Sequence, residues 1–136
     1  MIRGFLRGRS ALVEGRVILP TRRLTERVNF LLDTGAQYSI IHPPDCKALG
    51  IDVMTAFRGA TIEDIRGVGG SGQFFSDEAI VSFEHEDGTV SGYRFDDMRF
   101  AVPTDYNADY PSLLGMDFIT AFELVINART DIVELR

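Results

Sequence analysis

An apolar run that stops abruptly on an acid constrains this chain more than any other feature. Val28, Phe30 and Leu32 alternate with Asn29 and Leu31, which reads as a half-buried to buried strand, and the strand runs straight into Asp33-Thr34-Gly35-Ala36. Gly35 supplies backbone freedom for a turn at that point. The carboxylate of Asp33 therefore stands at a strand mouth among leucines, where leaving it ionised costs several kcal/mol unless something offsets it. Such an acid either closes an Asx-turn, for which Asp-Thr-Gly is a good sequence, or takes part in chemistry. The triplet alone is only moderately specific.

Two further features raise its weight. Arg66-Gly67-Val68-Gly69-Gly70-Ser71-Gly72 is a glycine-dense segment, and Pro111-Ser112-Leu113-Leu114-Gly115-Met116-Asp117 carries a second apolar-apolar-Gly element near the C-terminus. In this order the three resemble the retropepsin-like aspartic proteases, the single-lobed relatives of pepsin that include the retroviral proteases. The resemblance runs from about Val13 to about Leu135. Leu31 to Ala36 matches the family's catalytic signature at every position, Leu113-Leu114-Gly115 matches its second element, and Gly67-Val68-Gly69-Gly70 looks like the tip of its flap. An all-β fold is implied: a single-lobed, closed β-barrel with a flap hairpin and one or two short helices. It would span residues 11–136, behind an Arg-rich N-terminus, residues 1–10, expected to be flexible.

Composition agrees with one domain. A chain of 136 residues at 45% hydrophobic content builds a single core, without space for two pepsin-like lobes. No run approaches the roughly eighteen apolar residues needed to span a bilayer, and the N-terminus lacks the apolar stretch of a secretory signal. A cytoplasmic protein with no membrane partner is the expectation. Cys46 is the only cysteine, which excludes an internal disulfide, and it reads as a small apolar residue on a short helix. Net charge is −6, with seven arginines in residues 1–27 set against Glu14 and Glu26 and a strongly acidic remainder, so nucleic-acid binding is disfavoured. The two histidines, His42 and His85, belong to no Cys/His cluster, and neither a metal nor another cofactor is expected. His42, beside Pro43, reads as a surface or turn residue.

Ala11 to Leu19 reads as a strand that bends at Gly15 and ends at Pro20. Tyr38 to Ile41 turns back into the sheet. Pro43 to Gly50, with prolines first and glycine last, predicts a helix of about two turns. Ala60 to Ile65 and Gln73 to Phe75 are the expected flap arms, and the four glycines at positions 67, 69, 70 and 72 exceed what a tight hairpin turn needs, which suggests a tip that moves. Ala79 to Phe83 and Val90 to Phe95 form a hairpin with an acidic tip, Met98 to Val102 is a further strand, and Thr104 to Tyr110 a solvated loop. After Leu113-Leu114-Gly115, Met116 to Phe122 predicts a short helix, and Glu123 to Leu135 a closing hairpin.

Peptide hydrolysis by this chemistry needs two carboxylates about 3 Å apart sharing one proton, and the chain carries one signature. The second Asp33 would come from an identical subunit across a two-fold axis, with activity peaking at mildly acidic pH. By resemblance, Thr34 would reach across that axis to the partner's backbone. Gly35 would allow close approach of a polypeptide substrate, Ala36 would keep the cleft floor small, and Val68 would touch the substrate from the flap. Leu113 and Leu114 would shape subsites, and Gly115 would permit tight packing. Gln37 replaces an acid common in retroviral members, and Met116-Asp117 follows Gly115 where those members carry arginine. Ile132 to Leu135 is a candidate for interleaving the termini of two subunits. Two alternatives remain open: a catalytically silent dimeric peptide-binding module of the same fold, and a protease that trims its own N-terminus.

Overall fold

The computed structural model describes residues 1–67 and 70–136. The described residues form eleven strands and three short helices. In chain order they are β1 (Ile2–Arg3), β2 (Phe5–Arg7), β3 (Ser10–Leu19), β4 (Leu24–Leu32), β5 (Ile40–Ile41), α1 (Pro43–Ala48), α2 (Val53–Ala56), β6 (Glu63–Gly67), β7 (Gly70–Glu84), β8 (Val90–Ala101), β9 (Leu113–Leu114), α3 (Met116–Ile119), β10 (Leu124–Asn127) and β11 (Ile132–Leu135). The fold is all-β, as expected. Among the described residues no helix is long and apolar enough to cross a membrane.

Eight strands form one sheet in the order β2-β3-β4-β9-β5-β8-β7-β6, and an additional pairing joins β7 back to β3 at Val17↔Val81. Six of them, β3-β4-β9-β5-β8-β7, thus make a closed circuit of hydrogen-bonded neighbours. The alternating pattern explains the inside of this circuit. Val13, Val17 and Leu19 on β3 and Val28, Phe30 and Leu32 on β4 are buried, with Glu14, Arg16 and Asn29 outside. Phe83, Phe100, Met98, Ile41 and Leu114 complete the core. Gly15 does not end or split its strand. A Cβ there would meet Val81 Cγ1 at 2.7 Å and Phe83 Cε1 at 3.0 Å, so the glycine serves the crossing of β7 over β3.

Two other boundaries differ from expectation. The segments read as separate strands on either side of Ser76 to Glu78 and of Asp96 are single long strands, β7 and β8, whose register shifts between Asp77 and Ala79. The acidic interruption is a bulge, which leaves the ladder intact on both sides. Helix α2 was not foreseen. Asp52 caps it by accepting from the Thr55 N–H at 3.3 Å, a local signal hidden beside Gly50.

The N-terminus is the largest correction. Residues 2–7 are paired strand rather than flexible chain: β1 lies on β11 at Ile2↔Leu135 and Arg3↔Glu134, and β2 lies on β3 at Phe5↔Leu12. Arginine content masks a short alternation in which Ile2 is buried while Arg3 faces out. Arg3 pairs with Glu86 and stands 3.7 Å from the buried Glu134. Gly4 passes so close to the Leu12 carbonyl that no Cβ fits, and its N–H donates to the Val133 carbonyl at 2.8 Å.

Strand β11 consequently has β1 on one edge and β10 on the other, both from its own chain. Within the chain, Ile132 to Leu135 is thus the central strand of its three-stranded sheet, paired along its whole length to β10 and at Glu134 and Leu135 to β1. Because Ile2 is 1% exposed, Ile2→Ala is expected to destabilise the fold by about 2–4 kcal/mol. Urea unfolding with a lowered midpoint at unchanged slope would show it.

Candidate active site

Strand β4 carries Asp33 out of the core. Leu31 and Leu32 run parallel to Leu113 and Leu114 of β9, and the ladder continues one step beyond the strand, where the Asp33 N–H donates to the Leu114 carbonyl at 3.0 Å. Asp33 is half-buried, Thr34 and Gly35 are exposed. The Gly35 N–H donates to Asp33 Oδ1 at 2.9 Å, and the Ala36 N–H to the Asp33 carbonyl at 3.2 Å. The acid therefore does close an Asx-type turn. Its Oδ2 has no hydrogen-bond partner among the described residues and stays available. Gly35 is not in the left-handed region; a Cβ there would stand 3.2 Å from Asp33 Oδ1, so glycine is needed for room beside the carboxylate rather than for φ.

A second set of contacts fixes the loop from below. Helix α3 begins immediately after Gly115, and its first N–H groups reach back to the loop: Met116 donates to the Ala36 carbonyl at 2.8 Å and Asp117 to the Gln37 carbonyl at 3.0 Å. Asp117 also accepts. Both of its carboxylate oxygens take the Ser39 N–H, at 3.0 and 2.9 Å, and Oδ1 takes the Ser39 hydroxyl at 2.7 Å. Ser39 Oγ in turn accepts from the Gly115 N–H at 3.0 Å. These charge-assisted bonds join segments 78 residues apart in sequence. A Cβ on Gly115 would lie 2.7 Å from the Ala36 oxygen and 2.8 Å from the Tyr38 carbonyl carbon, which is why the position is glycine.

Ser39 and Asp117 were not singled out as site residues from the sequence. Neither was Ser112, fully buried, which accepts from the His42 N–H at 3.0 Å and donates to Asp45 Oδ2 at 2.6 Å. Their partners are far away in sequence, so no local pattern marks them. His42 is not a surface residue. It is 9% exposed at the start of α1, with Nδ1 2.6 Å from the Pro111 carbonyl and its ring edge-on to Tyr110.

The two leucines of β9 divide between two surfaces. Leu114 is fully buried in the main core and supports the loop from inside. Leu113 belongs to a smaller cluster with Ile40, Phe74, Ala101 and Ile65. The members on β9, β5, β7 and β8 each sit beside a neighbour that faces the core, so this row lines the opposite face of the sheet. Leu31, paired with Leu113, shares that face, and so by alternation does Asp33. Strands β6 and β7, where the flap arms are expected, pair as far as Gly67↔Gly70, while Val68 and Gly69 lie outside the described residues.

Residues 25–121 match the family described as "gag-polyprotein putative aspartyl protease". The chain belongs to this family. Its fold is that of a retropepsin-like aspartic protease from Rickettsia conorii, to which it is 19% identical with a TM-score of 0.50 over 96% of this chain and 86% of that one. A second solved structure, the EIAV protease complexed with the inhibitor HBY-793, is 21% identical with a TM-score of 0.49, covering 88% of this chain and 95% of that one. No curated protein matches.

For this family member, Gly115→Ala is expected to lower stability by about 1–3 kcal/mol, read from chemical unfolding, because rigid backbone rather than a movable side chain opposes the new methyl.

Burial holds the proton affinity of His42 below its ordinary value of 6.5, with the Pro111 carbonyl and Asp45 opposing more weakly. A histidine lowered in this way contributes stability above the unfolded value, and the contribution is lost as pH falls towards the folded one, since the unfolded chain binds the proton first. The melting temperature should therefore drop as pH is lowered through about 6.5, and His42→Gln should flatten that part of the profile.

Proposed function

We propose that this chain is one half of an aspartic endopeptidase, active as a homodimer in which Asp33 of each subunit meets across a two-fold axis. The observation that carries the reading is Asp33 itself: one carboxylate oxygen is committed to the turn, the other is available, and the loop that holds it is pinned by β9 and by the Ser39–Asp117 contact. A lone carboxylate can position a water but cannot also protonate the scissile carbonyl. Two, sharing one proton, divide those tasks: one takes a proton from the attacking water as the other donates to the carbonyl oxygen. No metal or organic cofactor takes part.

The neighbours have roles in this scheme that fit their exposure. Thr34, exposed at the loop tip, places its hydroxyl for the partner's backbone. Gly35 lets the substrate backbone come close, Ala36 keeps the floor shallow, and Gln37, exposed, offers an amide to an extended peptide. Leu113 with Ile40, Ala101 and Phe74 forms an apolar wall for substrate side chains. The flap hairpin, with Gly67, Val68, Gly69 and Gly70 at its end, closes over the bound peptide and excludes bulk water. Self-trimming within residues 2–7 finds no support in the fold, since cleavage there would remove paired strands.

Asp33→Asn is the test. Asparagine keeps an oxygen for the Gly35 N–H, so circular dichroism and melting should change little, whereas hydrolysis of an unstructured protein near about pH 5 should fall by roughly a thousandfold or more. Adding an excess of this variant to wild type should suppress wild-type activity by forming mixed dimers. Cleavage that survives the substitution, or a wild type that cleaves while strictly monomeric, would refute the reading.

A further inference from the structure

One arginine on the Asp33 side of the sheet stands apart from the others. The guanidinium carbon of Arg99 on β8 lies 4.1 Å from the centroid of the Tyr38 ring and 4.2 Å from that of Phe74. Each contact is a cation–π interaction, and together they hold the guanidinium between an exposed aromatic of the Asp33 loop and a buried aromatic of the flap strand β7. Register puts Arg99 on the apolar face already described: it pairs with Ile40 on one side and Ser76 on the other, and Ala101 is two residues further along the same strand.

The molecule also contains a complete version of this arrangement. Arg22 lies 4.5 Å over the Phe57 ring, and its Nε reaches Asp77 Oδ2 at 3.2 Å. Arg3, Arg27, Arg94 and Arg136 likewise have carboxylate partners. Arg99 is half-buried and stacked, yet among the described residues no carboxylate stands within ion-pair distance of it. Asp97 on the same strand and Glu63 opposite Phe74 are exposed and do not reach it. A planar fork of donors, already immobilised by stacking, has lost its rotamer freedom before any ligand arrives.

We propose that Arg99 is a specificity-determining residue, selecting an acidic side chain in the peptide that occupies the cleft. The inference rests on the cleft being a peptide site, as in the protease reading above. Three strand spacings separate β8 from β4, roughly 14 Å, which an extended peptide of about four residues covers. The favoured substrate therefore carries Glu or Asp within about four positions of the cleaved bond, with apolar side chains nearer to it against Leu113 and Ile40.

The measurement compares matched peptides that differ only in Glu or Gln, scanned over the four positions on either side of a Leu-Phe bond. Wild type should cleave the best Glu peptide roughly three- to tenfold better in kcat/KM than its Gln twin, with the ratio shrinking as salt is raised. Arg99→Gln should bring the ratio to about one, and Arg99→Lys, which keeps the charge but not the stacked fork, should fall between. The same pairs are titrated against Asp33→Asn protein by fluorescence anisotropy, so the preference is read without turnover. A Glu preference in binding with no cleavage by wild type would uphold the Arg99 site and overturn the protease reading. Equal cleavage and equal binding of every Glu and Gln pair by proteins carrying Arg99 would overturn the Arg99 site whatever the variants do.

Discussion

The hydrogen bonds among Ser39, Gly115 and Asp117 are the constraint on which the site depends. A strand that ends in Asp-Thr-Gly would otherwise leave its acid on a loop free to wander. Here the loop is pinned twice: first by the parallel ladder that continues to Asp33, and then by a buried serine whose hydroxyl accepts from one backbone group and donates to a carboxylate. Every polar atom of this contact is satisfied, so burying it strengthens the bonds without leaving an orphan. Gly115 is what lets the two segments approach closely enough, and a side chain there would push Ala36 and Tyr38 away.

The rest of the architecture can be read as two faces of one wall. Within the short strands β5 and β9, consecutive residues part company: Ile41 and Leu114 go to the core, Ile40 and Leu113 to the other side. The same division holds for Phe75 and Phe74 on β7 and for Phe100 and Ala101 on β8. Both faces are apolar in this region, which is unusual for a small sheet exposed to water on one side. Under the protease reading proposed above, this second apolar row, with an acid at one end and a stacked arginine at the other, is the lining of the cleft.

Much of this was legible from residue pattern. The alternation of β3 and β4, the Pro-first, Gly-last helix α1 and the order of Asp33, the glycine-rich hairpin and Leu113-Leu114-Gly115 led to an all-β fold of the observed kind. What escaped was carried by long-range pairing. Ser39 and His42 look like ordinary turn residues until Asp117 and Pro111 are brought beside them. Ile2 and Phe5 looked like part of a basic tail because arginines outnumber them, although the strand partners that bury them lie at Leu135 and Leu12. The breaks read into β7 and β8 failed for a different reason: a bulge tolerates the acidic residues that suggested a strand end.

The arrangement of the chain ends separates folding from assembly. Since β11 is hemmed in by β1 and β10 of the same molecule, the two ends of the described fold hold each other in place. Under the dimeric reading proposed above, a subunit of this design would complete its fold before it meets a partner, and cleavage would then rise with the concentration of copies.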